Sequence, residues 1–356
     1  MFEASMQDLL YFNTPANGLL EASAKEKLEL YYREQYSDPA AYFQEWMMNN
    51  KPALRRRFAE LINCRGSELA FVPNTSYAMA AFCSSLPEST KVMMYDQDYP
   101  SVYQPFRLHG FEMSLFSAEE DNSWNLDMVK SKLLKDKIDV FALSHIQYLS
   151  GYKADVNDLG TFCRAHNILF LVDATQSLGA EQIDVQTMNI DVLVASNYKW
   201  MNAGLGSAVL FIREDLIESF PPAIGGFGSY VSDGDKFEYQ SSIMSYEPGH
   251  LAIASLLCLE AVLEHRKSSS IQAISTENRK LSGQFRQLLA EHGWAQVGQH
   301  WDEKCKSAIV VAEGTIELQH NLLKLNIACS FRGGNIRFGF HQHNTAEELD
   351  EMFRRL

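Results

Sequence analysis

Two neighbouring apolar runs end in groups of opposite charge. Ile168-Leu-Phe-Leu-Val-Asp173 closes on a carboxylate, and Asp191-Val-Leu-Val-Ala-Ser-Asn-Tyr-Lys199 closes on an amine. Both runs are apolar and β-branched enough to be fully buried parallel strands. That carries Asp173 and Lys199 to the carboxyl edge of one sheet, where open α/β proteins bind ligands. An amine and a carboxylate facing one crevice are what pyridoxal phosphate requires: a lysine to hold its aldehyde as a Schiff base, and an acid to keep its pyridine nitrogen protonated. The two residues alone fit an ion pair or strand-end solvation equally well, so the neighbours decide.

Lys199 lies in Ser196-Asn-Tyr-Lys-Trp-Met-Asn202. Burial beside Trp200, in the cationic surroundings of a cofactor site, lowers a lysine's pKa and suits it first to imine exchange and then to general-base work. Ser196 and Tyr198 bring hydroxyls to the same turn, where they could hold a phosphate. Gln176, three residues after Asp173, could donate to a ring oxygen. Upstream, Val72-Pro-Asn-Thr-Ser-Tyr-Ala-Met79 is a polar loop entering an apolar helix, so Thr75 and Ser76 with the local N–H groups form an anion site at a helix N-terminus. As a bare pattern, Asn-Thr-Ser is also an ordinary helix cap.

The elements that position these residues follow from patterning. From about Glu21 to Cys64 the composition is helical, and from about Ser67 short apolar runs alternate with polar helices. The runs Leu69–Val72, Lys91–Tyr95, Val140–Ser144, Ile168–Val172, Val192–Ser196 and Ala208–Ile212 predict a mostly parallel, doubly wound α/β sheet. The last pair is expected to be antiparallel, because the Gly-rich link Asn202-Ala-Gly-Leu-Gly206 is too short for a crossover helix. Beyond Gly225-Gly-Phe-Gly-Ser229 comes a polar stretch to about Met244, then a helix from about Leu251 to His265. The remainder reads as helix, strand (Ser307–Val311), helix, two strands (Ile327–Phe331 and Ile336–Phe340) and a helix over Ala346–Leu356. The expected division is a large domain over 16–250 and a small α+β domain over 251–356 with the segment 1–15. No flexible linker separates them, so the two are expected to pack together.

With 356 residues the chain can bury a large core. A net charge of −14 without any Lys/Arg cluster argues against nucleic acid as a partner. The six cysteines are scattered, with no CxxC or metal-ligand spacing, which suits free thiols in a reducing cytoplasm. Met1 to Leu10 lacks the basic and apolar regions of a secretory signal, and no run has the length of a membrane span; a cytoplasmic protein without membrane partners is expected.

Five segments together resemble a known family. They are Val172-Asp-Ala-Thr-Gln-Ser-Leu-Gly179, Ser196-Asn-Tyr-Lys-Trp-Met-Asn202, Asn74-Thr-Ser76, Asp98-Tyr-Pro-Ser-Val-Tyr103 and Ile336-Arg-Phe-Gly-Phe-His-Gln-His-Asn-Thr-Ala-Glu-Glu-Leu-Asp350. In this order, from about Tyr11 to Leu356, the chain resembles the class V aminotransferases of pyridoxal-phosphate fold type I. That group also holds cysteine desulfurases, kynureninases and isopenicillin-N-epimerase-like proteins. The resemblance implies pyridoxal 5'-phosphate as cofactor, a small amino acid as substrate, and a homodimer with active sites at the subunit interface. It further implies that Lys199 carries the Schiff base, Asp173 pairs with the pyridine nitrogen, and Gln176 contacts the ring hydroxyl. Thr75, Ser76, Ser196 and Tyr198 would bind the phosphate, Tyr99 would stack on the ring, and Arg337 would clamp the substrate carboxylate. Arg332 is either a second clamp or an exposed turn residue beside Gly333-Gly334. The partner subunit's contribution is expected against Gly225 to Gly249.

The reaction type is less legible. Desulfurases need a reactive cysteine on a mobile loop ahead of the carboxylate-binding arginine. Cys329 instead sits in the apolar run Ile327-Ala-Cys-Ser-Phe331, which reads as a strand with a buried thiol. Asn74-Thr-Ser76, Tyr99-Pro-Ser101, Gln147-Tyr-Leu-Ser-Gly151 and Tyr198-Lys-Trp-Met-Asn202 lean toward the kynureninase and epimerase-like branch. Aminotransfer is the expected reaction; a lyase or an epimerase on the same machinery is the alternative. A dinucleotide-dependent oxidoreductase would need a GxGxxG loop about twenty residues before Asp173, and Gly151 and Gly160 do not supply one.

Overall fold

The structure is a computed structural model that describes residues 8–266 and 270–356; residues 1–7, most of the segment read above for a secretory signal, lie outside the described residues. Fourteen strands are found among the described residues. In chain order they are β1 (Leu10–Tyr11), β2 (Leu69–Val72), β3 (Lys91–Tyr95), β4 (Glu112–Phe116), β5 (Val140–Ser144), β6 (Leu169–Asp173) and β7 (Val192–Ser196). There follow β8 (Ala208–Ile212), β9 (Tyr230–Asp233), β10 (Lys236–Tyr239), β11 (Ile309–Glu313), β12 (Ile327–Ala328), β13 (Ser330–Arg332) and β14 (Asn335–Gly339).

Seven of these form the central sheet, in the order β2-β8-β7-β6-β5-β3-β4. From β7 to β4 all neighbours are parallel, and β8 runs antiparallel to both β7 and β2. The antiparallel β7–β8 pair is the one expected from the short glycine link. Alternate residues of each strand enter two separate cores: Phe71, Met93, Phe141, Phe170 and Leu193 on one face, Ala70, Val92, Ala142, Leu171 and Val194 on the other. Burial on both faces explains why these strands read as unbroken apolar runs.

The structure departs from the sequence expectations in three places. The edge strand β4 was not anticipated, because Glu112-Met-Ser-Leu-Phe116 is largely solvated and shows no apolar run. The single strand expected over Ile327–Phe331 is two strands: β12 pairs with the N-terminal β1, and β13 pairs with β14. The polar stretch after Gly225 also contains an unforeseen exposed hairpin, β9–β10.

The first helices, α1 (Ala24–Glu34), α2 (Pro39–Glu45) and α3 (Lys51–Leu61), occupy the region read as helical, and prolines stand near the starts of the last two. The helices α4 (Thr75–Cys83), α5 (Pro100–Leu108), α6 (Leu126–Lys135) and α7 (Val156–Ala165) are the crossovers of the sheet, and α8 (Ile253–His265) is buried nearly all round in the same core as Phe71 and Phe211. A second, three-stranded antiparallel sheet, β11-β14-β13, packs with α9 (Ile271–Glu291), α10 (Ile316–Lys324) and α11 (Ala346–Arg355). Its core joins Phe285, Val310, Phe338 and Met352 to Leu10 and Phe12 from the N-terminal segment.

Candidate active site

The chain reverses its strand order between β3 and β5, and the loops leaving β3, β5, β6 and β7 share that carboxyl edge. They bring Tyr99, Ser144, Asp173 and Lys199 to one region. Strand β2 contributes as well: Val72 and Ser196 flank Ala208 on either side, so the start of α4 arrives beside the end of β7.

That juxtaposition builds a group of hydroxyls. Thr75 Oγ1 lies 2.7 Å from Ser196 Oγ and 3.1 Å from Thr175 Oγ1. Thr75 N donates to Ser196 Oγ at 3.3 Å, and Ser196 N donates to Thr175 Oγ1 at 3.1 Å. Asn74 caps α4 by accepting from Tyr77 N, which leaves a helix N-terminus aimed at this group. The donors suit a phosphate. Ser76 stands differently from expectation: its hydroxyl pairs with Ser101 at 2.7 Å on the exposed side. Tyr198 is half-buried, with Lys199 Nζ 5.7 Å from its ring centre. Thr175 was not anticipated, because a threonine between Asp173 and Gln176 carries no pattern of its own.

Lys199 is 5 % exposed, and burial, with the nearby charge of Arg337, pulls its amine down to about 7, against a smaller opposing pull from Asp173. The turn that carries it is held from several sides. Trp200 O accepts from Arg266 Nη2 and from His341 Nε2, each at 2.9 Å. Gly18 N donates to Tyr198 O, and Asn202 Nδ2 donates to Leu19 O. A Cβ at Gly18 would overlap the Lys199 carbonyl, and one at Gly179 would press on that of Trp200.

Asp173 is buried, and burial raises its carboxyl above the ordinary range, while the Thr175 amide, donating at 2.7 Å, and the Lys199 charge oppose the shift. Gln176 is anchored at both ends of its amide: Nε2 donates to Pro15 O at 3.0 Å, and Oε1 accepts from Trp200 Nε1 at 2.8 Å. One amide hydrogen remains for a ligand. Behind Tyr99 sits a second buried acid, Asp98, which accepts from the amides of Tyr99 and Ser144. Burial first, and the Asp173 charge to a lesser degree, hold it up at about 6.

Tyr99 is 36 % exposed, with Lys199 Nζ 5.4 Å from its ring centre and Tyr148 packed edge-on against it. Arg337 on β14 is buried; Nη1 donates to Tyr148 O at 2.7 Å and Nη2 to Ser330 Oγ at 3.3 Å, while Nε has no partner. Among the described residues no carboxylate pairs with it. Burial and the Arg332 charge pull it down to about 10. A buried guanidinium without an acid is costly unless an anionic ligand completes it.

Comparison with known proteins identifies the family and the fold. The Aminotransferase class-V family matches residues 10–352. This chain belongs to that family. Among curated proteins it is 26 % identical to the uncharacterized aminotransferase YcbU of Bacillus subtilis, over 83 % of this chain and 80 % of that one. It is 24 % identical to a probable cysteine desulfurase of Pyrococcus abyssi, over 77 % and 71 %. Among solved structures, the apo cysteine desulfurase of Thermococcus onnurineus NA1 superposes with a TM-score of 0.88 at 20 % identity, over 98 % of this chain and 94 % of that one. The cystine C-S lyase C-DES does so with 0.88 at 19 %, over 98 % and 97 %. These likenesses establish pyridoxal-phosphate fold type I.

A class V chain is a pyridoxal-phosphate enzyme, and the residues here fit that cofactor. The donor set matches its parts: hydroxyls and a helix N-terminus for a phosphate, a buried carboxylate for a ring nitrogen, and a lysine whose amine is neutral enough to react. The clamp on Trp200 escaped sequence reading, since Arg266 and His341 lie 66 and 141 positions from it. Among the described residues no helix is long and apolar enough to cross a membrane.

Proposed function

We propose that this class V enzyme is an aminotransferase acting on small amino acids. The observation that carries the reading is Arg337: a buried guanidinium that no acid pairs with among the described residues, close enough to Lys199 for its charge to lower the amine's pKa. A substrate α-carboxylate bound there would bring its amine and Cα toward Lys199 Nζ.

When bound, pyridoxal phosphate supplies an aldehyde that condenses with amines and a ring that accepts the electrons released at Cα. Thr75, Ser196 and Tyr198, with Thr175 behind them and Ser76 at the rim, hold its phosphate. Asp173 would keep the ring nitrogen protonated, Gln176 would donate its remaining hydrogen to the ring oxygen, and Tyr99 would lie against the ring. Lys199 Nζ would hold the aldehyde and, once freed by the substrate amine, would be the base positioned to take the proton from Cα. Arg337 sets which Cα bond is broken by fixing the carboxylate.

Lyase chemistry is the second reading, favoured by the cysteine desulfurases among the chain's relatives. A desulfurase of the usual kind needs a thiol that reaches the substrate. Here β13 and β14 are joined by the two-residue turn Gly333-Gly334, with φ of 57° and 82°, which leaves no cysteine-bearing loop. Cys329 is buried, and burial pushes its thiol up to about 12.

The test is an amino-acid panel offered to the cofactor-loaded enzyme with a keto-acid acceptor. The loaded enzyme should show a borohydride-sensitive visible band that is absent in Lys199→Ala, and aminotransfer should replace that band with pyridoxamine phosphate while a new keto acid is released. Sulfide or alanine released from cysteine without an acceptor would replace this reading with the lyase.

A further inference from the structure

Arg337 has a neighbour of like charge on the same face of its sheet. In the β13–β14 pair, Ser330 stands opposite Arg337 and Arg332 opposite Asn335. Directly opposed residues share a face, and so do residues two apart on one strand, so Arg332 and Arg337 are diagonal neighbours, roughly 7–8 Å apart at Cα. The Gly333-Gly334 turn pins this register.

Two guanidiniums so placed repel, and the ordinary remedy is an acid between them. None is there. Arg332 Nη1 donates to Phe331 O, Arg337 donates to Tyr148 O and Ser330 Oγ, and among the described residues neither makes an ion pair. Glu313 ends β11 on that face opposite Asn335, yet it pairs with neither arginine. In a chain of net charge −14, two adjacent arginines that no acid answers form a local anion site. They differ in setting: Arg337 is buried, whereas Arg332 is exposed at the rim. The charge of Arg332 reaches both Arg337 and Lys199.

One carboxylate on Arg337 uses the inner guanidinium only. We propose that Arg332 binds a second acidic group on the substrate side chain, so that this enzyme prefers dicarboxylic amino acids to neutral ones. The inference rests on Arg337 holding the α-carboxylate, as set out above. Both arginines can bind a carboxylate in bidentate fashion, and their side chains leave the same face of the sheet, so two acidic groups of one small substrate can be answered together.

Carboxylates that lack an amine separate the two readings without turnover. The cofactor-loaded enzyme is titrated calorimetrically with succinate, glutarate and butyrate. Succinate or glutarate is expected to bind at least tenfold more tightly than butyrate. Arg332→Gln should level that difference while leaving butyrate within twofold, and Arg337→Gln should abolish all three. In turnover, L-aspartate or L-glutamate should exceed L-asparagine, L-glutamine and L-alanine in kcat/KM by a margin that Arg332→Gln removes. Equal binding of all three acids, or a dicarboxylate advantage that survives Arg332→Gln, overturns the role of Arg332 and leaves that of Arg337 standing. Failure of every carboxylate to bind, unchanged by Arg337→Gln, overturns both. Arg332 is exposed, so its variant should melt with the parent, and that comparison confirms an intact fold.

Discussion

Thr75 and Ser196 share a 2.7 Å hydrogen bond across 121 positions of sequence. It marks the place where a helix start after β2 meets the end of β7, the strand that leads into the reactive lysine. If this corner holds the cofactor phosphate, its hydroxyls act as donors to a dianion. Thr75→Val and Ser196→Ala should each weaken cofactor retention by about 1.5–3 kcal/mol, roughly ten- to a hundredfold. Ser76→Ala, whose hydroxyl is engaged with Ser101, should cost less. Titrating the apoprotein with pyridoxal phosphate and following absorbance measures all three.

Burial and Arg337 hold the Lys199 amine near 7, so its reactive, uncharged form is scarce below that pH and dominant above it. The rate at which apoprotein captures pyridoxal phosphate should rise about tenfold per pH unit below 7 and level off above. Arg337→Met removes a repelling charge, so the midpoint should move upward. A midpoint that stays put, or moves down, contradicts the electrostatic assignment.

Trp200 O is held by two buried donors. Arg266→Met removes one of them and should lower stability by about 1–3 kcal/mol, the range for a buried hydrogen bond deprived of its donor. His341 donates through Nε2, and burial and the Arg266 charge keep its ring neutral. His341→Gln offers an amide hydrogen at a similar reach and should therefore be milder than His341→Phe. Thermal melts, with the circular dichroism of the bound cofactor, report stability and lysine placement separately.

Gly18 and Gly225 provide a paired control. A side chain at Gly18 meets the Lys199 carbonyl, whereas at Gly225 the nearest atom is the Tyr239 hydroxyl at 4.0 Å. Gly18→Ala should destabilise by about 1–3 kcal/mol or more and impair cofactor capture, whereas Gly225→Ala should leave the melting temperature nearly unchanged. Equal melting temperatures for the two variants would show that the N-terminal segment does not brace the lysine turn.

Cys329 is distant in character from a nucleophile. Cys329→Ser should lower stability modestly, by placing a hydroxyl in a buried site, while leaving turnover intact. Alanine formation from cysteine that is lost with this substitution alone would make cysteine the substrate and the Cys329 thiolate the acceptor of its sulfur as a persulfide.

Much was legible in the chain because of how parallel sheets are buried. A strand covered on both faces has to be apolar throughout, so β5, β6, β7 and β8 stand out as runs, and the residues that end them fall at one edge. On that basis the sequence alone pairs Asp173 with Lys199. The edge strand β4 and the hairpin β9–β10 escaped for the converse reason: solvent tolerates mixed composition, so exposed strands leave no hydrophobic signature.

Side-chain partnership is a different kind of information. Local composition says that Thr75 can cap a helix and that Gln176 can donate, but not that Thr75 meets Thr175 and Ser196, or that Trp200 and Pro15 have already claimed most of Gln176. Nor does it place Arg332 beside Arg337 with no acid between them. Periodicity and strand-end chemistry depend on a residue's near neighbours in sequence and are written there. Hydrogen bonds, close glycine approaches and unanswered charges depend on which distant segments the packed core forces together, and only the folded chain decides those.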